Sequence, residues 1–466
     1  EISECLVGSE MCIRDSYQSV QAAEADVNIY VAEMRFFRAL EYFNKIQLLG
    51  DVPWLEVDLN VDSEELYGPK MKRNQVFQKI IEDLDFAIQW LPEAGSEEAN
   101  RLNKDIARHV KARFCLNEGT HYKYHDELEY ASEAEKWLQM AATESDKLIT
   151  SRRYEIYNTG HPQEDYFNMY RIDDKSDLKE AVLYVDYKTN IREHNMAAAG
   201  REAGCGFSKS FVESFLCSDG LPISLSNKYL GDETMRKETA NRDPRLKQLI
   251  LTNDFPTNVT DDLKDSTFVV NEDEFITQHC FTGYRPIKGF NPIYSQALYM
   301  KSSFDGIAYR YAETLLINAE AKAELNTITN ADLDRTVNQL RDRVGMPHLT
   351  VNVGFTDPKW PDWGYSLSPV LQEIRRERCI ELAGEGFRFN DLKRWKAGKV
   401  LNNVLTYVGK RKPDGNLAIV YPNYTNPDLS YQAGKSRTWE DKMYLYPIPT
   451  GELQRNPQLL PQNPGW

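Results

Sequence analysis

The chain has 466 residues, of which 41% are hydrophobic, so it can bury one large core or form up to roughly three smaller domains. Its formal net charge is −15 at pH 7, which argues against nucleic acid because phosphate binding requires clustered Lys and Arg. No apolar run approaches the roughly 18 to 20 residues that a membrane-spanning helix needs.

The first sixteen residues differ from the rest of the chain. Residues 1–16 read EISECLVGSEMCIRDS, and LVGSEMCIRDS resembles the in-frame translation of a transposase-type sequencing adapter. We therefore predict that 1–16 is an adapter artefact, to be left out of fold reasoning, and that the true N-terminus is missing. On this interpretation Cys5 is not a lipidation site. The alternative is a native polar N-terminus.

The first helical block covers about residues 27–149. Four helices are predicted there, over about residues 31–46, 76–91, 106–118 and 131–149. One face of the first is predicted to carry Val31, Met34, Phe37, Leu40, Phe43 and Ile46. Asn74 is the expected N-cap of the second helix, and Pro92 is its stop signal.

The second helical block covers about residues 308–399. Its predicted helices span about residues 308–325, 333–344, 370–382 and 389–399. Together the two blocks indicate a predominantly α fold with four helix pairs like those of tetratricopeptide repeats.

The remaining segments are rich in Gly, Pro, Asn and Asp. The stretches 150–307 and 400–446 are predicted to be long irregular insertions that carry short strands, such as AVLYVDY at 181–187. The tail, residues 447–466, ends in NPQLLPQNPGW, which has too many prolines for a helix and is predicted to lie extended and close the fold. We expect 17–466 to form a single domain.

Several segments, taken in chain order, resemble the SusD/RagB family. They are AEMRFFRALEYFNKIQLLGDVPW (32–54), NRDPRL (241–246), TGYRPIKGF (282–290), YRYAETLLINAEAKAEL (309–325), IRRERCIELAGEGFRFNDLKRW (374–395) and YPIPTGELQRNPQLLPQNPGW (446–466). The resemblance implies a SusD-like fold and a surface-exposed outer-membrane lipoprotein of a member of the Bacteroidetes. The lipid anchor would belong to a leading segment that this chain lacks.

The same resemblance implies a binding function without a catalytic step. The expected role is to capture oligosaccharide or polysaccharide and deliver it to a SusC-like TonB-dependent transporter, with no cofactor. The main alternative is the peptide-binding subunit of a RagAB-like importer. A glycoside-acting enzyme, whose two carboxylates would lie among 71 acidic residues, and a periplasmic adaptor that binds only protein also stay open.

One predicted helix has carboxylates and guanidinium groups in register. The residues concerned are Glu377, Glu381 and Glu385, interleaved with Arg375, Arg376 and Arg378. Carboxylates on one face could form a general acid and base pair, or they could form salt bridges that hold the helix against its neighbours. The salt bridges are favoured, because abundant Arg would keep the carboxylates ionised.

Metal and nucleotide motifs are weak. His121 and His125 stand at i, i+4, a spacing that can hold a metal, but no third ligand is evident. DDKSD at 173–177 lacks the Gly and distal Glu of a calcium loop. Neither a metal nor a nucleotide site is predicted. A Cys205–Cys217 disulfide stays open.

Aromatic residues in loops are the candidate ligand contacts, because the apolar face of a pyranose stacks on a flat ring. The candidates are Trp54, Tyr67, Tyr284, Tyr294, Trp360 and Trp363. For each of them, a structural role is the alternative.

Overall fold

The computed structural model of the chain describes residues 24–56, 59–60, 62–96, 100–197, 206–262, 264–277, 279–419 and 438–466. It is 46% helix and 9% strand, which confirms the predominantly α fold. The chain divides into two compact units: Glu1–Leu148 with Trp439–Trp466, and Ile149–Thr438. Within the described residues, no helix has both the length and the apolar character needed to cross a bilayer. The single domain over 17–466 and the tetratricopeptide-like pairing stay predictions.

The first unit contains the longest helices. These are α1 (Glu24–Leu49), α2 (Arg73–Trp90), α3 (Lys104–Tyr124) and α4 (Ala131–Ser151), the last of which ends in the second unit. The side chain of Asn103 caps α3 by accepting hydrogen bonds from the backbone N–H groups of Asp105 and Ile106. Helices α3 and α4 touch at Gly119, where a Cβ would stand 2.9 Å from Cγ of Leu138.

The predicted face of α1 is wrong in part, because Phe37 is 43% exposed. A strict three-residue step falls behind the helix by about 60° each time, so the predicted set winds around the whole helix. The buried face alternates steps of three and four instead. It consists of Val31, Ala32, Phe36, Ala39, Tyr42, Phe43 and Ile46.

The predicted N-cap of α2 is also wrong. The cap position is Lys72, whose side chain makes no capping hydrogen bond, and the helix begins at Arg73. The side chain of Asn74 instead donates to Glu133, at 2.8 Å. Its side-chain oxygen accepts from the adjacent backbone N–H of Gln75, at 3.0 Å, so Asn74 lies within the first turn and not at the cap.

The C-terminal tail is only partly extended, contrary to the prediction. It forms the short helix α14 (Thr450–Arg455) and a 3₁₀ turn at Pro457–Leu459. Pro457 stands at the start of that turn, a position where its missing N–H has no hydrogen bond to lose. Nδ2 of Asn463 then donates to the carbonyl oxygen of Leu49, at 2.9 Å, which ties the tail to the end of α1.

The second unit combines short helices with small antiparallel sheets. Its helices up to the middle of the unit are α5 (Asp165–Tyr170), α6 (Lys209–Ser214), α7 (Met235–Thr239) and α8 (Arg245–Leu249). The later ones are α9 (Tyr311–Glu324), α10 (Asn330–Arg335), α11 (Val337–Arg343), α12 (Pro369–Glu381) and α13 (Phe387–Arg394). Three strand pairs are described: β1 (Ala181–Val185) with β4 (Gly306–Arg310), β2 (Pro256–Val259) with β3 (Ser266–Phe268), and β5 (Val408–Arg411) with β6 (Leu417–Ile419).

Two helices predicted in this unit differ from those observed. The helix expected over 333–344 is divided into α10 and α11 at Thr336, whose backbone lies outside the helical region (φ −130°, ψ −96°). The helix expected over 389–399 ends at Arg394, because Lys396 adopts a left-handed conformation (φ 48°). A 3₁₀ turn, Gly398–Asn402, follows.

A buried set of ion pairs fills the space beside α12. We call it the charge cluster, and it consists of Glu180, Arg245, Arg310, Arg343, Glu377, Glu381 and Glu385. Glu381 accepts from Arg343 at 2.6 Å, from Arg310 at 2.7 Å and from Arg245 at 2.9 Å. Burial alone would raise the pKa of Glu381, yet the three guanidinium groups hold it well below its usual range.

The structure supports the salt-bridge interpretation of this helix, but with different partners. Arg375, Arg376 and Arg378 each pair with a carboxylate from outside that set of three glutamates. Their partners are instead Glu324 (2.9 Å) for Arg375, Asp357 (2.6 Å) for Arg376 and Asp391 (3.0 Å) for Arg378. The helix is therefore held by charges from several other elements.

Candidate functional site

Three of the six candidate aromatics serve as packing in the second unit. Tyr284 is fully buried, and its hydroxyl donates to Glu238 at 2.8 Å. Trp363 is buried against the edge of the Trp395 ring. Trp360 is half-buried, and its indole N–H donates to Glu373 at 2.8 Å. Tyr284 and Trp363 therefore present no free ring face to a ligand.

Two other candidates lie in the first unit. Trp54 is half-buried, with its ring centre 4.2 Å from that of Tyr42 and 5.3 Å from the guanidinium carbon of Arg38. Tyr67 is 47% exposed at the end of a short 3₁₀ turn, Glu64–Tyr67. No ring contact joins any two of the six candidates among the residues that the structure describes.

Tyr294 is the candidate with the most exposed ring, at 52%, and it lies beside further exposed apolar side chains. We call this surface the loop patch. Its residues, with their exposed fractions, are Ile191 (77%), Met196 (50%), Tyr294 (52%), Leu298 (41%), Tyr299 (69%) and Met300 (44%).

Backbone hydrogen bonds bring the two segments of the loop patch, 188–197 and 294–303, together. His194 and Ser302 exchange N–H to carbonyl bonds of 2.9 and 3.1 Å, in an antiparallel bridge. The backbone N–H of Met300 donates to the side-chain oxygen of Asn195, at 3.0 Å. Glu193 and Lys301 add an ion pair at 3.1 Å. The two irregular segments are thus paired like short strands.

A third segment supports the loop patch from the β2–β3 hairpin. The backbone N–H of Tyr294 donates to the carbonyl oxygen of Val259, at 2.9 Å. The N–H of Ser295 donates to a carboxylate oxygen of Asp261, also at 2.9 Å. Buried residues anchor the same region, because Ala297 and Phe304 are 4% and 1% exposed. The exposed rings therefore stand on a hydrogen-bonded base.

The composition of the loop patch suits a ligand with both apolar and polar faces. Apolar side chains are costly to leave in water, and several of them exposed on paired segments indicate a binding surface. A tyrosine offers a flat apolar ring together with a hydroxyl that can donate and accept. Exposed polar residues, among them Asn190 and Ser295, adjoin the apolar ones.

Residues 148–466 match the family model described as the SusD family. This match covers more than half of the chain and includes both segments of the loop patch. The chain belongs to the SusD family. The family assignment made from the sequence is thereby confirmed.

Relatives of known sequence or structure agree with this membership. The chain is 25% identical to the SusD-like protein P2 of Formosa agariphila, over 95% of this chain and 75% of that protein. Its fold is similar to that of a SusD-like protein from Bacteroides fragilis, with a TM-score of 0.71 and 24% identity over 96% of this chain and 81% of the other. A SusD-like carbohydrate binding protein of the same species has a TM-score of 0.68 and 22% identity, over 94% and 81% of the two chains.

Most of the loop patch was missed from the sequence of this SusD family member. The run LYM consists of Leu298, Tyr299 and Met300, and its sequence is that of an ordinary short apolar segment. A weak signal did exist, because LYM lies between the polar residues of YSQ and KSS in a stretch with no helical or strand period. Ile191 and Met196 carry no such signal, since Ile191 stands alone among polar residues and Met196 begins a run with three alanines.

The remaining motifs have structural roles in the described residues. The rings of His121 and His125 stack at 4.0 Å, and Nδ1 of His125 lies 2.9 Å from Glu127. The described residues contain no group of three or more His, Cys, Asp or Glu side chains that could hold a metal ion. In the DDKSD turn, Nζ of Lys175 donates to the carbonyl oxygen of Ile172, at 2.6 Å. The Cys205–Cys217 pairing involves Cys205, which lies outside the described residues.

Proposed function

We propose that this SusD family member captures glycans at the loop patch without cleaving them. The observation that carries the proposal is the exposure of Tyr294 and Tyr299 on a hydrogen-bonded base. Their rings would stack on the apolar faces of sugar units, while hydroxyl and amide groups nearby would exchange hydrogen bonds with the sugar hydroxyls. A structural relative named as a carbohydrate binding protein supports the choice of ligand class.

The charges near the loop patch favour capture over hydrolysis. A glycosidase of the usual kind needs two carboxyl groups, about 5 to 10 Å apart, on either side of the scissile bond. Two carboxylates are described at the loop patch, and both hold its segments together. Glu193 pairs with Lys301 at 3.1 Å, and Asp261 accepts from the backbone N–H of Ser295 at 2.9 Å. The glutamates of α12 are engaged in the charge cluster, where the guanidinium groups keep Glu381 ionised and unable to act as a general acid.

Membership in the SusD family also supports a place of action and a partner. The protein would work at the cell surface as an outer-membrane lipoprotein. It would pass its glycan to a SusC-like TonB-dependent transporter. Co-purification of the transporter with the tagged chain from native membranes tests this part of the proposal.

The experiment for the binding function is a screen of the chain against soluble polysaccharides, with new reducing ends assayed in parallel. We expect retention by at least one glycan and no new reducing ends. Tyr294→Ala and Tyr299→Ala should each weaken binding roughly two- to tenfold, because each removes one stacking ring. Tyr446→Ala is the matched control, since Tyr446 has the same 52% exposed fraction as Tyr294 but lies in the first unit.

Other outcomes would contradict specific parts of the proposal. New reducing ends would show an enzyme. Binding of peptides but no glycan would identify an importer of the RagAB kind. Glycan binding that both loop-patch variants leave unchanged would place the site elsewhere on the chain.

A further inference from the structure

The second unit has a cleft of about 710 Å³ that shares no residue with the loop patch. One wall is the chain that leaves α4, residues 149–158. The other wall is formed by the start of α9 and by one side of α10 and α11. This volume lies within the usual range for sites that bind small molecules, about 300 to 1,000 Å³.

The first wall is held in place by hydrogen bonds to its own unit. Helix α4 ends at Ser151, and Arg152 adopts a left-handed conformation (φ 56°) that turns the chain. The backbone N–H of Tyr157 then donates to Glu180, at 2.7 Å, and Glu180 belongs to the buried charge cluster. The N–H of Glu155 donates to the carbonyl oxygen of Lys179, at 3.3 Å. The wall is thus joined to the most deeply buried part of the unit.

Two tyrosines lie on the floor of the cleft. The rings of Tyr154 and Tyr311 are stacked, with centres 6.0 Å apart and planes inclined by 28°. Tyr311 is buried and Tyr154 is half-buried, so Tyr154 is the ring that a ligand can cover. Burial raises the pKa of Tyr311 to about 12, although the positive charge of Arg335 acts to lower it. The Tyr311 hydroxyl therefore stays protonated at neutral pH.

The rim of the cleft carries charges of both signs. Its four charged lining residues are Arg152, Arg335, Glu155 and Asp342, all exposed and equal in number for the two signs. Glu155 also pairs with Lys179 at 3.0 Å, and Asp342 with His348 at 2.7 Å. Such a balance gives no preference for a phosphate or a carboxylate, which would need an excess of Arg or Lys. It does place several hydrogen-bond donors and acceptors around an aromatic floor.

The amides at the cleft add further groups of both kinds. The side-chain oxygen of Asn158 accepts from the backbone N–H of Gly160, at 3.0 Å, which holds this amide at the rim. Nε2 of Gln339 donates to the carbonyl oxygen of Arg335, at 2.7 Å. A sugar hydroxyl donates and accepts at once, so mixed donors and acceptors on fixed supports match a neutral polyol.

We infer that this cleft is a second glycan-binding site, which takes a short neutral oligosaccharide with one sugar ring over Tyr154. It extends the proposed glycan capture to a second position on the same chain, and it rests on that function. Two sites on one chain would raise the residence time of a long polysaccharide, because a polysaccharide bound at one site is held at high effective concentration near the other. Release then requires dissociation from both sites.

Calorimetric titration of the whole chain with maltohexaose, xylohexaose and laminarihexaose tests the inference. For at least one of these probes we expect two bound molecules per chain. Tyr154→Leu should weaken one of the two binding events roughly two- to tenfold and leave the other unchanged. The matched control is Tyr157→Leu, the same substitution in the same segment at a residue that does not line the cleft.

Additional variants separate the two sites. Tyr299→Ala should weaken only the other binding event, and the double variant with Tyr154→Leu should weaken both.

If Tyr154→Leu does not fold, as judged by circular dichroism, Asn158→Ala on the exposed rim replaces it and should weaken the same event. A single event that responds to Tyr299→Ala alone would overturn the second site and keep the proposed function. A single event that responds to Tyr154→Leu alone would overturn the loop patch and keep the cleft. No binding of any probe would overturn the inference.

Discussion

The charge cluster and the loop patch reverse the usual positions of charged and apolar side chains within one unit. Arg343 and Glu381 are fully buried, whereas Ile191 and Tyr299 are 77% and 69% exposed. Charged groups are costly to bury unless they are paired, and apolar groups are costly to expose unless something covers them. The cluster meets the first condition inside the protein, but the loop patch needs a ligand to meet the second.

This difference separates residues that hold the fold from residues that can bind. Each carboxylate of the cluster has at least two cationic partners, and these pairs join α12 to β4, α8 and α11. A ligand would have to break these pairs to use them. The rings of the loop patch are held by backbone hydrogen bonds, so their side chains can be replaced with little effect on the fold.

Acid should have the largest effect on the charge cluster, by lowering the free energy of unfolding. Burial works to raise the pKa values of Glu381, Glu385 and Asp391, but paired Arg or Lys lowers all three. A carboxyl group whose pKa is lower in the folded state than in the unfolded state stabilises the protein at any pH above the unfolded-state pKa, about 4. This stabilisation is lost as the pH falls through the folded-state pKa. The free energy of unfolding, measured with urea across the acid range, should therefore fall steadily below about pH 4. A stability that stays constant down to pH 2 would contradict this expectation.

A single cluster substitution should have the next largest effect. Arg343→Met removes one of the three guanidinium partners of Glu381 and one partner of Glu180, so the buried negative charge is no longer fully compensated, which costs about 3–5 kcal/mol. Arg236→Met is the matched control, because Arg236 is 64% exposed and pairs with Asp254 at 2.8 Å on the surface. That pair should contribute about 0–1 kcal/mol. Equal losses for the two variants in urea denaturation would show that burial does not decide the strength of these pairs.

The sequence predicted that the glutamates of α12 form salt bridges, but it did not predict which residues they pair with. Glutamates at i, i+4 and i+8 among arginines indicated salt bridges rather than catalysis, and the structure agrees. However, Glu180, Arg245, Arg310 and Arg343 come from four separate segments, and no local pattern indicates which distant charge will meet α12. Helix positions followed from periodicity, whereas the break at Thr336 and the end of α13 depended on single backbone conformations.

The aromatic candidates show why the site could be predicted only in part. Tyr284 and Tyr294 are ten residues apart in the same kind of irregular segment, yet one is fully buried and the other is 52% exposed. Periodic elements have a face that indicates burial, but an irregular segment has none. The cleft was missed for a related reason, because Tyr154 and Tyr311 meet only after 156 intervening residues have folded.

The smallest expected effect comes from removing one tyrosine hydroxyl, either in the interior or in the loop patch. Tyr284→Phe removes one of the two donors to the buried carboxylate of Glu238, the other being Lys209, and should lower the free energy of unfolding by about 1–3 kcal/mol. Tyr299→Phe removes the same group from a 69% exposed ring and should change it by no more than about 0.5 kcal/mol. Urea denaturation of both variants, with glycan titration of each, measures the contrast. A glycan affinity that Tyr284→Phe lowers in the fully folded protein, and that Tyr299→Ala leaves unchanged, would reverse the roles given to these tyrosines.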